Sequence, residues 1–293
     1  MTTITAKSRT VDVPGATLTY DVRGPLPSAD GSPPLLLIGQ PMDASGFTTL
    51  ASHFPDRTVV TYDPRGLGRS VRYDGSAVQT PEQQADDLHA LIAELGAGLV
   101  DLFGSSGGAV TGLCLATRHP HDARIVVAHE PPLQEILPDV EEIRAAGRRL
   151  LQVYQERGWG WAMAAFIALA ELRGPVPAGF GTEVPDPAEF GLPTDDDGSR
   201  DDPLLSGAAA AITAYRPDAA ALTAGPVRVV VAGGVESEGT IAWRAGAAVA
   251  ELLGTELVEF PGDHGGFLGG EVGQTGKPEA FTARLKEVLA ESA

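Results

Sequence analysis

The sequence predicts an α/β fold: a mostly parallel sheet with helices on both faces and a helical insertion in the middle of the chain. Three observations carry this. Short apolar runs alternate with helical stretches, the order that builds a parallel sheet. The apolar runs are continuous rather than alternating, as in strands buried on both faces. From Leu133 to about Ala224 the strands stop and the pattern turns helical, and after Gly225-Pro226 the alternation returns. Residues 1–132 and 225–293 are therefore read as the sheet core, and 133–224 as a helical lid inserted over the carboxyl ends of the parallel strands. The full 293 residues fit one large domain or two small ones.

Each element has its own signal. Arg9 to Val13, a Pro14-Gly15 turn and Thr17 to Arg23 read as a hairpin. Leu35 to Ile38 is a buried strand broken by Gly39, and Ser45 to His53 a short helix. Thr58 to Tyr62 is a β-branched strand closed by Asp63-Pro64. Thr80-Pro81-Glu82-Gln83 is a helix start, with Thr80 as cap and Pro81 in the first turn. Leu88, Leu91, Ile92 and Leu95 give that helix one apolar face, and Gly96 ends it. Leu99 to Phe103 is a strand, Ala109 to Arg118 a helix, and Arg124 to Ala128 a strand. The insertion carries helices over Val140 to Arg157 and Trp159 to Arg173. Val227 to Val231, Ile241 to Leu253, Glu256 to Phe260 and Pro278 to Leu289 then read strand, helix, strand, helix.

Composition excludes several classes. Apolar residues make up 43% and charged residues 20%, enough for a full core. Acids outnumber bases 39 to 21, a net charge of −18 that repels phosphate backbones and anionic lipid. Neither nucleic acid nor a membrane surface is expected as a partner; a small molecule is. Cys114 is the single cysteine, so neither an internal disulfide nor a multi-cysteine zinc site forms within the chain. Met1 to Thr10 has no leader-like apolar stretch, and no run of 18 apolar residues occurs. The expectation is a protein of a reducing cytoplasm; a homodimer stays open.

Gly104-Ser105-Ser106-Gly107-Gly108 matches G-x-S-x-G with Ser106 at its centre, between an apolar strand and a helix. That context is a nucleophile elbow: a tight turn holds the serine at a helix N-terminus, where the dipole favours an anion. The bland alternative is an ordinary glycine-rich turn. Ser105 does not fit the frame, because Phe103 would occupy its outer position. A serine hydroxyl needs a base that works near neutral pH. His264, in the glycine-rich loop before the last helix, is that candidate. His53, His89, His119, His121 and His129 read as surface or structural, with no metal site expected.

On these residues the chain resembles an α/β-hydrolase over nearly its full length. Asp63-Pro64-Arg65-Gly66-Leu67-Gly68-Arg69-Ser70 is similar to the D-x-R-G-x-G-x-S loop frequent in that superfamily. The stretch from Leu35 to Pro41 resembles the segment that supplies an oxyanion-hole amide, with Ile38-Gly39 where many relatives have His-Gly. The resemblance implies the N–H groups of Gln40 and Gly107 as oxyanion donors. It leaves two acids open. Glu236, in Gly233-Gly234-Val235-Glu236, fills the position usual for the superfamily. Glu130, 24 residues after Ser106 in His129-Glu130-Pro131-Pro132, resembles the acid position of the zearalenone-type lactonases and is preferred here.

The function these residues imply is a serine hydrolase that cleaves a carboxylic ester or lactone, without metal or organic cofactor. Trp159, Trp161, Met163 and Phe166 cluster at helical spacings, either as the insertion's core or lining a pocket for substrate. Residues 183–202 hold eight acids against one Arg and read as a solvated, mobile loop. Cys114 reads as a packed thiol. Other uses of the fold stay open: cofactor-free oxygenation, C–C cleavage, acyl transfer, or a small-molecule receptor.

Overall fold

The computed structural model describes residues 6–291; the reading of Met1 to Thr10 as leader-free falls partly outside them. The strands are β1 (Lys7–Val13), β2 (Ala16–Arg23), β3 (Leu35–Ile38), β4 (Val59–Tyr62), β5 (Val71–Arg72), β6 (Val100–Ser105), β7 (Ala123–His129), β8 (Arg228–Gly234) and β9 (Val258–Phe260). They form one sheet in the order β1-β2-β4-β3-β6-β7-β8-β9, with β5 paired to β2. The strands from β4 to β9 along that order are parallel, and β1 and β2 run antiparallel at one edge. The short β5, which the sequence does not announce, extends the antiparallel edge.

The helices are α1 (Thr48–Ser52), α2 (Pro81–Leu95), α3 (Gly107–Arg118), α4 (Val140–Arg157), α5 (Trp159–Ala170), α6 (Ala210–Thr213), α7 (Ala219–Ala224), α8 (Ile241–Leu252) and α9 (Pro278–Ala290). Successive residues of each central strand feed opposite faces, since strand side chains alternate. Leu36, Ile38, Leu102, Val126 and Ala128 join the core under α2, α3 and α8. Leu35, Leu37, Phe103, Ile125 and Val127 join the core under α1 and α9. Both faces are therefore dry, as the continuous apolar runs require. At α2, the Thr80 side chain accepts from Gln83 N, Pro81 opens the first turn, and Gly96 closes the helix in the left-handed conformation at φ 61°.

Between β7 and β8 the chain supplies helices and no strand among the described residues. Ile143, Ala146 and Leu169 of this segment share an apolar cluster with Val110, Leu113 and Cys114 of α3. Helices α6 and α7 of the segment pack on α3, the helix that follows Ser106. Helix α5 stops at Ala170, short of the expected Arg173. There the chain turns away to dock: Gly174 N donates to Gly239 O at 2.8 Å, and the Arg173 guanidinium donates to Glu236 O at 2.6 Å. The acidic stretch is mostly exposed, as a solvated loop should be, but it is tied down at points. Asp202 accepts from Trp159 Nε1 and from Leu204 N, each at 2.9 Å, and Arg200 pairs with Asp196 at 2.6 Å. No helix among the described residues is long and apolar enough to cross a membrane.

Candidate active site

Ser106 sits between β6 and α3 with φ 56° and ψ −126°, a backbone conformation that a side chain other than glycine's rarely adopts. Such strain costs on the order of 1–3 kcal/mol and persists only where the surroundings fix it. Two contacts do so. Ser106 N donates to His129 O at 2.9 Å. The glycines two residues away allow strand and helix to touch: a Cβ on Gly104 would lie 2.5 Å from Gly108 O, and one on Gly108 would lie 2.4 Å from Ile38 O. The Ser106 side chain makes no capping bond to α3. Gly108→Ala should therefore push α3 off β3, lowering stability by about 1–3 kcal/mol in thermal or denaturant unfolding and misplacing Ser106. An unchanged melting temperature would mean that the strand and helix can separate at no cost.

His264 follows β9. Its Nδ1 lies 2.6 Å from Oε2 of Glu130, a fully buried carboxylate at the end of β7, while the imidazole itself is 46% exposed. A residue before proline usually takes an extended backbone, yet Glu130 is left-handed at φ 47°. Its N–H is tied to Ala232 O at 2.9 Å. The remaining carboxylate oxygen is also satisfied. Oε1 accepts from Gly234 N at 2.8 Å and from Ser237 Oγ at 2.5 Å. Burial works against the Glu130 charge, but the His264 hydrogen bond and charge, with help from the Ser237 hydroxyl, hold its pKa down at about 2. Burial likewise opposes charge on His264, and the Glu130 carboxylate overrides it, raising the imidazole pKa with a smaller contribution from Asp263.

Glu236 points elsewhere. Its carboxylate pairs with Lys277 at the surface, both side chains half exposed, and its backbone N donates to Gly262 O at 3.0 Å. The end of β8 instead supplies Glu130 with two donors. Ser237 was not legible as one of them, since it stands between two surface-type glutamates and only the sheet order brings it to Glu130.

His129 is the second residue that sequence reasoning passed over. It is wholly buried among Phe103, Phe260, Phe267 and Phe281, and its Nδ1 lies 3.2 Å from Ser105 Oγ. Burial lowers its pKa to about 4, so it stays neutral. Its ring centre is 6.1 Å from that of His264, and its carbonyl accepts from Ser106 N. Ser106, His129, Glu130 and His264 thus form one contiguous group. No hydrogen bond joins Ser106 Oγ to His264 among the described residues; such bonds often tighten only around substrate.

Gln40 follows β3 and packs on Gly107, whose added Cβ would lie 2.9 Å from Gln40 O and 2.8 Å from Gln40 Cβ. As the first residue of α3, Gly107 has an N–H without a partner inside the helix. The Asp63–Ser70 loop acts as a brace: Asp63 accepts from Ala44 N at 3.0 Å and Arg69 N at 2.9 Å, and buried Arg65 grips Asp87. Trp159, Trp161 and Phe166 pack with Tyr154 and Leu205 in the insertion's own small core. Cys114 is buried, and burial pushes its thiol up to about 11. His89 and His119 stack face to face at 4.1 Å beside Asp122. His89 Nδ1 lies 2.7 Å from Asp122 Oδ2, and His119 Nε2 lies 2.7 Å from Asp86 Oδ1.

The strand order and the strand–turn–helix at Ser106 define an α/β-hydrolase architecture. The family model for the alpha/beta hydrolase fold matches residues 33–166. The chain is 31% identical to the uncharacterized hydrolase YraK of Bacillus subtilis (strain 168) over 300 residues, spanning 98% of this chain and 97% of that protein. It belongs to the α/β-hydrolase family and is a hydrolase of that fold. Solved structures share the architecture. A thermophilic esterase from Thermogutta terrifontis superposes with a TM-score of 0.62 at 23% identity, covering 97% of this chain and 98% of that one. The enol-lactonase from Burkholderia xenovorans LB400 gives 0.59 at 21% identity, covering 97% and 100%.

Proposed function

We propose that the protein is a serine hydrolase that opens a carboxylic ester or lactone through an acyl-enzyme. The observation that carries this is the 2.6 Å contact between His264 Nδ1 and the buried Glu130 carboxylate, one strand from the strained Ser106. With Nδ1–H donated to Glu130, the His264 Nε2 lone pair is free to accept a proton. Ser106 Oγ attacks the carbonyl carbon and its proton passes to Nε2. The amides of Gln40 and Gly107 hold the oxyanion, at the N-terminus of α3 where the helix dipole adds to them. His264 gives the proton to the leaving alkoxide, then takes one from the water that attacks the acyl-enzyme and returns it to Ser106 Oγ as the acid departs. Glu130 fills the acid role, as in the zearalenone-type lactonases that the sequence resembles at this position. The 133–224 segment, seated on α3, serves as the lid that shapes the acyl site. Esterase and enol-lactonase structures on the same fold favour the ester and lactone classes.

The test is turnover on a panel of esters and lactones followed across pH. His264 acts as a base only when neutral, and its pKa lies above the usual value of about 6.5. Activity should therefore fall on the acid side with a midpoint above about pH 6.5. A midpoint well below that, or no turnover on any ester or lactone, would overturn the assignment. The same pair links pH to folding. A raised His264 pKa stabilises the fold below about pH 6.5 and loses that contribution as pH rises through the raised value. The depressed Glu130 pKa stabilises above 4.5 and loses its contribution as pH falls toward about 2.

A further inference from the structure

We propose that the Gln40 carboxamide reads a hydrogen-bonding substituent, a hydroxyl or an amide, on the acyl part of the substrate. This rests on the serine-hydrolase assignment above and adds the substrate class to it. Gln40 is 4% exposed, and neither its Oε1 nor its Nε2 has a partner among the described residues. The fold does not leave its other buried carboxamides in that state. Gln84 Nε2 donates to Gln79 Oε1 at 3.1 Å, Gln79 Nε2 donates to Arg65 O at 3.1 Å, and Thr111 Oγ1 donates to Gln84 Oε1 at 3.1 Å. A sealed carboxamide with nothing to bond is a net loss to folding, and an apolar residue of the same size would be better there. Among the described residues only Ser28 Oγ and His129 Nε2 share that state, and an unpaired carboxamide beside Ser106 fits a site completed by something else.

Its position says what completes it. The side chain runs across the start of α3: Gln40 Cβ and Cγ lie 2.8 and 3.1 Å from where a Gly107 Cβ would stand. That is one residue from Ser106, which is itself half-buried. In the sheet, β3 lies on one side of β6, and β7, β8 and β9, which lead to Glu130 and His264, lie on the other. The leaving alkoxide must take its proton from His264 and so lies on the β7 side. The acyl chain is left for the β3 side, where Gln40 stands. A carboxamide presents a donor and an acceptor together. A hydroxyl or an amide answers both, and an alkyl chain answers neither.

The experiment compares kcat/KM for three p-nitrophenyl esters, of butanoic acid, 3-hydroxybutanoic acid and N-acetylglycine. It uses the full chain and its Gln40→Leu and Gln40→Met variants. The expected result is that the wild type prefers the hydroxyl or the amide ester, and that both variants reduce that preference by about tenfold or more. Their melting temperatures should rise by about 2 °C or more, because an unpaired buried amide is gone. An unchanged preference in both variants overturns the proposal. So does an equal fall on all three esters, which would make the carboxamide an aid to the oxyanion or to the loop. Fluorophosphonate labelling separates the two levels: label retained by Ser106→Ala removes Ser106, and with it the site geometry on which this proposal rests, whereas label that stays on Ser106 in the Gln40 variants leaves only the present proposal at stake.

Discussion

Ser106→Ala should abolish covalent labelling by a fluorophosphonate and lower turnover by roughly 10³-fold or more. The reason is specific to this elbow. The Ser106 backbone is held left-handed at φ 56° by the Gly104 and Gly108 contacts and by the bond from its N–H to His129 O, so alanine keeps the turn and loses only the hydroxyl. Folding should then survive, and a melting curve near that of the wild type will show that the loss is chemical. The nearby hydroxyl of Ser105 does not substitute. It is buried in β6 and bonded to a neutral His129, on the face of the sheet opposite α3. Residual activity should reflect the oxyanion amides and binding alone. Labelling that persists, or that moves to Ser105, would remove Ser106 from the reaction.

The sequence reveals the parts of this architecture that depend on local rules. Thr80, Pro81 and Gly96 mark the ends of α2 because capping and backbone preferences act within a few residues. The continuous apolar runs reveal the central strands, because burial on both faces leaves no room for alternation. Strand β5, of two residues, carries too little sequence to show a period. The site divides in the same way. Ser106 and His264 stand in glycine-rich turns with recognisable spacing. The network around the acid does not, since Gly234 and Ser237 meet Glu130 across 104 and 107 residues of chain. Nothing local distinguishes Ser237 from any surface serine. The unpaired carboxamide of Gln40 is likewise a property of its surroundings, not of its neighbours in sequence. The acidic stretch is legible by composition as a mostly exposed loop, but its anchors are not: Asp202 accepts from Trp159 and Asp196 pairs with Arg200.

Glu130→Gln should lower kcat by roughly 10³–10⁴-fold while leaving the fold intact. The geometry fixes why a substitution of equal shape is so damaging. One oxygen of Glu130 accepts from Gly234 N and from Ser237 Oγ, and the other faces His264 Nδ1. The Ser237 hydroxyl can turn and accept, but the Gly234 N–H can only donate. The glutamine must therefore keep its oxygen toward Gly234 and its NH₂ toward His264. An NH₂ facing Nδ1 makes that nitrogen an acceptor and drives the imidazole proton to Nε2. A base that already carries its proton at the nitrogen facing substrate cannot take one from Ser106. The variant also loses the carboxylate that raises the His264 pKa, so the acid limb of any remaining activity should move to lower pH. Glu236→Gln removes only one half of an exposed pair with Lys277, an interaction of about 0–1 kcal/mol, and should change kcat little. Steady-state kinetics of the two variants across pH decide the matter. Near-normal turnover in Glu130→Gln with a large loss in Glu236→Gln would mean that the hydrogen bond to Glu130 positions His264 without serving its chemistry.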